Sequence, residues 1–182
     1  MTRIFDIILS ITALTIFFVP IGIISFLIKR KEKQSVLFRQ ERVGFQKQGF
    51  VILKFQTLKA GIPTRTGSFL RRTGLDEVPQ FINVLKGDMS IVGPRALTEE
   101  DIRRLGWDDE YYTVRWQVKP GITGLAQIYG GQHKKTSWFW DKRYIEKKTI
   151  AFDCLLIPVS FLMNLFGKTA VRRKIWPKKD LK

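Results

Sequence analysis

Asp76 and Glu77 are adjacent carboxylates, and the guanidinium groups of Arg71 and Arg72 stand just ahead of them. The residues that follow predict a helix from near Asp76 to Leu85, with Pro79 tolerated in its first turn. Three effects then meet at one place. A helix N-terminus stabilises anions and keeps a carboxylate ionised. Its free N–H groups hold phosphate oxygens. Paired guanidinium hydrogen bonds suit a diphosphate. An ionised aspartate there can attack phosphorus and form an acyl phosphate. A divalent cation would lower the repulsion between the two anions as they approach. The spacing alone also fits a plainer role, an Asp-Glu pair that only complements the helix dipole.

Other chemistry is scarcer. Gly44 and Gly49 have the spacing that opens a P-loop, but Phe50 and Val51 follow where Lys and Ser or Thr are needed. Neither G-x-G-x-x-G nor G-x-S-x-G occurs. The one histidine, His133, excludes a histidine metal cluster, and its polar Gly-Gly-Gln-His-Lys-Lys setting predicts exposure to solvent. The one cysteine, Cys154, excludes an intramolecular disulfide framework and a cysteine zinc site. Its apolar neighbours predict an inert thiol, and these counts fit a reducing compartment.

The elements that must position the carboxylates belong to a chain of 182 residues, enough for one domain with a modest core. Its 45% apolar content is too high for a disordered polybasic chain. Lys and Arg number 32 against 16 Asp and Glu, a net charge of +16. Residues 1–28 are neutral, 29–75 carry +10, 76–118 carry −4 and 119–182 carry +10. Two basic arms flanking an acidic middle suit an anionic partner: phospholipid head groups, nucleic acid or phosphorylated substrates. The neutral, apolar first segment favours lipid.

That segment, Ile7 to Ile28, is 22 residues without a charge. It is long enough to span a bilayer, which takes about 20. Lys29, Arg30, Lys31 and Lys33 follow, placing residue 29 onward in the cytoplasm. Bases after the apolar run, and no small-residue cleavage site, argue against a signal peptide. Two geometries compete. One is a straight spanning helix. The other is a re-entrant hairpin bent at Pro20, which lacks an N–H and clashes with the carbonyl four residues back. In the hairpin, Arg3 and Asp6 would lie beside Lys29 to Lys33. Hydroxyls of Ser10, Thr12 or Thr15 would serve the freed carbonyls near Ile16 and Phe17.

Further on, Val36 to Phe38 and Phe50 to Phe55 read as strands, with a Gly-containing turn between them. Residues 59–68 read as a loop and Ser68 to Thr73 as a helical turn. Lys86-Gly87-Asp88 reads as a turn and Ser90 to Val92 as extended chain before the break at Gly93-Pro94. A helix is expected over Leu97 to Leu105 with Thr98 as its N-cap. Val114 to Val118 is a strand candidate, ended by Lys119-Pro120-Gly121. Helices are expected over Ser137 to Lys148 and over Phe152 to Phe166, the latter interrupted by Pro158. Trp138, Phe139 and Trp140 are consecutive, so one helical face cannot bury all three. Residues 154–166 are apolar but short for a span, and bases from Lys168 to Lys179 follow around Trp176. Such a helix either lies in the membrane interface or is a core helix with a solvated basic tail.

The run Phe69 to Arg95, FLRRTGLDEVPQFINVLKGDMSIVGPR, closely resembles the bacterial sugar transferase family, the monotopic phosphoglycosyl transferases. Arg3-Ile4-Phe5-Asp6, Lys54-Phe55-Gln56-Thr57-Leu58 and PGITGLAQIYGG (Pro120 to Gly131) match further family motifs in order. Trp138, Asp141, Tyr144 and Asp153 match more loosely. The resemblance implies a helix-dominated α/β fold with a small β-sheet. It divides the chain into a re-entrant membrane helix over 1–30 and a catalytic domain over 31–182 with interfacial C-terminal helices. Val19-Pro20 stands where the family hairpin has Ser-Pro. The chain looks like the minimal catalytic module of the family. The implied place is the cytoplasmic face of the bacterial inner membrane, held monotopically among phospholipids.

The implied reaction moves a phosphosugar from a UDP-sugar to polyprenol (undecaprenyl) phosphate and releases UMP. It is the first membrane step of glycan assembly, such as O-antigen or another glycoconjugate, ahead of downstream glycosyltransferases and without nucleic acid. By the same resemblance Asp76 is the nucleophile and a Mg²⁺ ligand, and Glu77 is its dyad partner. Lys54, Arg71, Arg72, Arg95, Thr123, Gln127 and Asp141 are implied substrate-binding residues, and for Arg95 a structural role is equally open. Gln56 replaces a usual base, Gly74 a Ser, Ala96 a Pro and Gly131 an Arg. The losses at Gln56 and Gly131 bear on donor recognition more than on reaction type. A competing class is a membrane-anchored binding protein that uses its charge alone. Such a protein would be indifferent to the dyad.

Overall fold

A computed structural model describes residues 3–130 and 134–166. His133, Gly131 and the basic stretch around Trp176 lie outside the described residues. The chain opens with two helices, α1 (Arg3–Ile16) and α2 (Phe18–Phe26), the second continuing through a wider turn at Leu27–Lys31. They are bent by 57°. The break falls at Phe17 and not at Pro20 itself. Proline removes the N–H that would reach the Ile16 carbonyl, so the ladder fails four residues ahead of the ring. The neighbouring bonds survive: Phe17 N–H donates to Ala13 O at 2.9 Å and Ile21 N–H to Phe17 O at 2.8 Å. The Thr12 and Thr15 hydroxyls donate to Ile8 O and Ile11 O, within their own helix and not to carbonyls at the break. Among the described residues no single helix is long and apolar enough to cross a membrane.

The polar start of α1 is not beside Lys29 to Lys33 as expected. Arg3 donates to the carbonyls of Val84 and Leu85, and Asp6 accepts from the Ser90 hydroxyl and the Ile91 N–H, the latter at 3.0 Å. The reason is hydrogen-bond demand. The last carbonyls of a helix have no internal partner and attract a cation.

Strands β1 (Leu37–Val43) and β2 (Gly49–Phe55) form an antiparallel hairpin paired from Leu37↔Phe55 to Val43↔Gly49. The first strand runs further than its sequence predicts. Arg39 to Arg42 have little strand pattern, and the complete ladder to β2 holds them extended. Two short strands, β3 (Leu58–Lys59) and β4 (Ile62–Pro63), pair within the expected loop. Helix α3 (Arg65–Thr73) ends at Gly74, and α4 (Gln80–Lys86) ends at Gly87. Strand β5 (Ser90–Val92) follows, and then α5 (Glu99–Leu105) with a full capping box between Thr98 and Asp101.

Glu110–Gln117 is a 3₁₀ helix, so Val114 to Val118 is not a strand. Asp109 caps it through the Tyr111 N–H, and Arg115 and Trp116 turn inward, where burial outweighs local β-propensity. The strand comes after Pro120 instead: β6 (Gly121–Thr123) pairs in parallel with β5. Among the described residues the strands form three two-stranded pairings, the small sheets of a helix-dominated α/β fold.

Helices α6 (Lys134–Lys147) and α7 (Ile150–Phe166) complete the described chain, and α7 runs through Pro158 without ending. Trp138 is buried, Trp140 partly buried and Phe139 exposed. Helix α7 buries Asp153, Leu156 and Met163 and exposes Leu155, Phe161 and Leu162, so it is a core helix with a second apolar face outward. One core cluster joins Ile52, Val84, Met89, Val92, Ile128, Tyr144 and Leu156. A second joins Ile24 and Ile28 of the N-terminal arm to Phe55, Leu70 and Val78. Each such side chain stabilises by about 1.5–3 kcal/mol on full burial, so the arm is packed onto the domain and not merely tethered to it.

Candidate active site

Asp76 and Glu77 lie in a 3₁₀ turn, Leu75–Glu77, between α3 and α4. Gly74 makes the junction at φ +74°, a left-handed conformation that costs glycine little. The expected helix at Asp76 begins instead at Gln80, with Pro79 at its N-cap. The pair therefore stands ahead of the helix crown, and side chains set its environment more than the helix dipole does.

Lys54 comes from β2, and its Nζ lies 2.6 Å from Glu77 Oε1. Arg71 comes from the last turn of α3, where its Nε donates to Thr57 Oγ1 at 2.9 Å. Helix α3 seats on that backbone because residue 67 is glycine: a Cβ there would lie 2.0 Å from Thr57 O. Burial and the Glu77 charge raise the Asp76 pKa above its ordinary value, and Lys54 and Arg71 oppose them. The cations therefore favour its ionised form against burial and Glu77.

The alignment of β2 with α4 depends on Asn83, which sequence reasoning missed. It is fully buried. Its Nδ2 donates to Val51 O at 2.7 Å and to Asp88 Oδ2 at 3.1 Å, and its Oδ1 accepts from Leu53 N–H at 3.0 Å. One amide thus pairs the free edge of β2 and fixes the dyad opposite Lys54. The available signal was a lone amide within the apolar run Phe81 to Leu85.

Beside the dyad is a narrow cleft whose polar lining is Arg42, Lys54, Glu77, Gln80, Arg95 and Gln127. Its lining carries three cations and one carboxylate, with Lys54 paired to Glu77 and Arg42 to Asp101. Arg95 is held from behind. The buried Arg115 donates through Nη2 to Arg95 O at 2.5 Å and through Nε to Asp141 Oδ2 at 2.9 Å. Its guanidinium lies between the rings of Trp107 and Trp116, 5.2 and 4.9 Å from their centroids.

The fold thus brings together Asp76, Glu77, Lys54, Arg71, Arg95 and Gln127. Arg72 is exposed, with its guanidinium 6.0 Å from the Phe69 ring. Thr123 bonds to Ser160 of α7. Asp141 is buried against Arg115, behind the cleft and not in its lining.

Among the described residues no group of three or more His, Cys, Asp or Glu forms a metal cage. Asp76 and Glu77 supply two hard carboxylates. That fits a Mg²⁺ site, which takes one or two carboxylates and completes its shell with phosphate oxygens and water.

The profile of the family described as "Bacterial sugar transferase" matches residues 1–167. The chain is 34% identical to a UDP-glucose:undecaprenyl-phosphate glucose-1-phosphate transferase of Escherichia coli (strain K12), over 91% of this chain and 40% of that protein. It is 37% identical to a protein of the same name from Klebsiella pneumoniae, over 85% of this chain and 35% of that one. It is 34% identical to a UDP-N-acetylgalactosamine-undecaprenyl-phosphate N-acetylgalactosaminephosphotransferase of Aeromonas hydrophila, over 69% of this chain and 33% of that one. The chain thus spans 33–40% of the length of these relatives.

Proposed function

The chain belongs to the bacterial sugar transferase family, and we propose that it moves a phosphosugar from a UDP-sugar to polyprenol phosphate through an aspartyl intermediate. The observation that carries this reading is the Asp76 carboxyl beside the Glu77–Lys54 pair, at a cleft lined by cations. An Asp76 oxygen attacks the β-phosphorus of the donor. The bond from that phosphorus to the bridging oxygen breaks, and UMP leaves with the electron pair. A phosphate oxygen of the polyprenol phosphate then attacks the same phosphorus, a diphosphate forms, and the Asp76 carboxylate is released. Lys54, Arg71 and Arg95 offset the charge that gathers in both steps. Asp76, with Glu77 adjacent, would hold Mg²⁺, which lowers the repulsion between carboxylate and phosphate.

The membrane brings donor and acceptor together. Ile4, Ile8, Ile11, Phe18, Val19, Ile23 and Phe26 of α1 and α2 are exposed, as are Leu155, Phe161 and Leu162 of α7. In this reading the bent pair enters and leaves by the cytoplasmic leaflet of the inner membrane, and α7 lies in the interface.

Mass spectrometry after incubation with donor alone tests the mechanism. We expect one phosphosugar on the peptide that contains Asp76, and neither adduct nor turnover in Asp76→Asn. Full turnover by that variant, with deamidation excluded, would refute the assignment.

A further inference from the structure

Arg115 lies in none of the motifs that carry the family resemblance, yet among the described residues it is the one fully buried cation. A buried cation needs a charged partner and close hydrogen bonds to offset its lost hydration. Arg115 has both. Its Nε donates to Asp141 Oδ2 at 2.9 Å and its Nη2 to Arg95 O at 2.5 Å. Asp141 is buried with it, so neither faces a substrate directly. An apolar side chain of similar volume would fill the space about as stably. What it could not supply is a donor for the Arg95 carbonyl.

Four successive carbonyls run past that point, and each has its own partner. Pro94 O accepts from Gly121 N–H at 2.9 Å and Leu97 O from Val43 N–H at 2.8 Å, so the main chain of β6 and β1 holds the two ends. Side chains hold the middle. Ala96 O accepts from Arg42 Nη1 at 3.2 Å, and Arg95 O accepts from Arg115 Nη2.

The Pro94 and Arg95 carbonyls belong to the two rigid peptide planes that meet at the Arg95 Cα. Fixing both planes fixes the direction in which the Arg95 side chain leaves the backbone. The first plane has little slack, because Gly93 and Gly121 are in close contact: a Cβ on Gly121 would lie 2.0 Å from Gly93 N. The second plane depends on Arg115. Direction matters here. Arg95 lines the cleft with Lys54 and Glu77, and its charge opposes that of Arg42 on the same lining. Like charges left free would part, so the backbone has to hold Arg95 in place.

We propose that Arg115 is a positioning residue: by holding the Arg95 carbonyl it aims the Arg95 guanidinium into the cleft beside Glu77, with Asp141 as its anchor. This rests on the part given to Arg95 in the transfer above. It also takes Asp141 out of contact with substrate and makes it act through Arg115.

A double-mutant cycle on the full chain in bilayer nanodiscs tests it, read as kcat/KM per folded molecule in a UMP-release assay. The donors are a panel of UDP-sugars that includes UDP-glucose and UDP-N-acetylgalactosamine, and the acceptor is undecaprenyl phosphate. Arg115→Gln lowers kcat/KM by about 10- to 100-fold, the scale of a misplaced group. Arg95→Gln costs at least as much. In the Arg95→Gln background, Arg115→Gln changes kcat/KM by no more than about twofold, because no guanidinium remains to be aimed. A purely structural role lowers Tm but gives losses that multiply. Arg115→Lys keeps the charge without the fork that reaches both Arg95 O and Asp141. It gives a smaller loss with the same non-additivity, and it replaces the Gln variant in the cycle if that variant fails to fold by thermal denaturation.

Losses that multiply across the cycle, or kcat/KM unchanged by both Arg115 substitutions, overturn the proposal. So does an Arg95→Gln chain as active as its parent, a result that leaves the donor reading standing. A parent chain that releases UMP from none of the donors defeats the donor reading itself, and the proposal with it.

Discussion

In the proposed mechanism protonation decides whether Asp76 can attack phosphorus, and burial together with three neighbouring side chains sets that protonation. Burial and Glu77 favour the neutral acid, while Lys54 and Arg71 favour the carboxylate. With the first pair dominant, the acid limb of the kcat/KM profile lies above the range where a free aspartate titrates, about pH 3.9. Glu77→Gln removes the like charge and frees Lys54 from its 2.6 Å contact. Both changes favour the ionised nucleophile, so the limb moves to lower pH; a pH–rate series on the two proteins reads it. An upward shift would mean that Glu77 does not act through charge. Turnover is also expected to vanish in excess chelator and return with Mg²⁺, because the dyad offers only hard oxygen donors. A UMP-release assay with and without chelator measures this.

Among the elements, the contact of β2 with α4 is the one on which the site depends. Asn83→Ala leaves the Val51 carbonyl and the Leu53 N–H without their partner at a buried strand edge. Two unsatisfied buried groups cost about 2–6 kcal/mol, or a fall in Tm of roughly 4–24 °C at this size. Turnover per folded molecule should fall with it, because Lys54 sits on β2 and Glu77 in the turn that leads into α4. Thermal denaturation in detergent with a parallel rate measurement checks both. The same scale shows where sequence pattern sufficed. Thr98 announced an N-cap, and Lys86-Gly87-Asp88 announced the turn that ends α4. At the 3₁₀ helix Glu110–Gln117 the local β-pattern misled, because what holds Arg115 inward is Asp141 of α6, with the rings of Trp107 and Trp116 beside it.

For the whole molecule the consequential feature is the bent N-terminal pair and the face it leaves exposed. With Cys154 replaced and single cysteines placed at Thr2 or Lys33, neither is expected to react with an impermeant thiol reagent until cells are opened. Labelling of the Thr2 position from outside would establish a spanning helix. Pro20→Ala returns an N–H to the Ile16 carbonyl and favours a straight helix of about 1.5 Å per residue, long enough to cross. In that variant some Thr2 cysteine is expected to become reactive in intact cells. Arg3 and Asp6 work against this, because both are tied to α4 and β5 and would have to leave those partners.

The sequence by itself determined the family and the apolar character of the N-terminal segment. An Asp-Glu pair behind two arginines, an unbroken apolar run and a long motif are local properties, readable wherever the residues stand adjacent. It also located the glycine and threonine caps, whose physics spans a single turn. Tertiary structure alone decided that Asp76 precedes its helix, that Arg42 shares a cleft with Lys54, and that Asp141 lies behind Arg95. Each of these depends on strand register or on contacts between residues 20 or more apart. Such contacts compete with local propensity through burial and hydrogen-bond demand, and at Glu110–Gln117 and at β1 they overrode it.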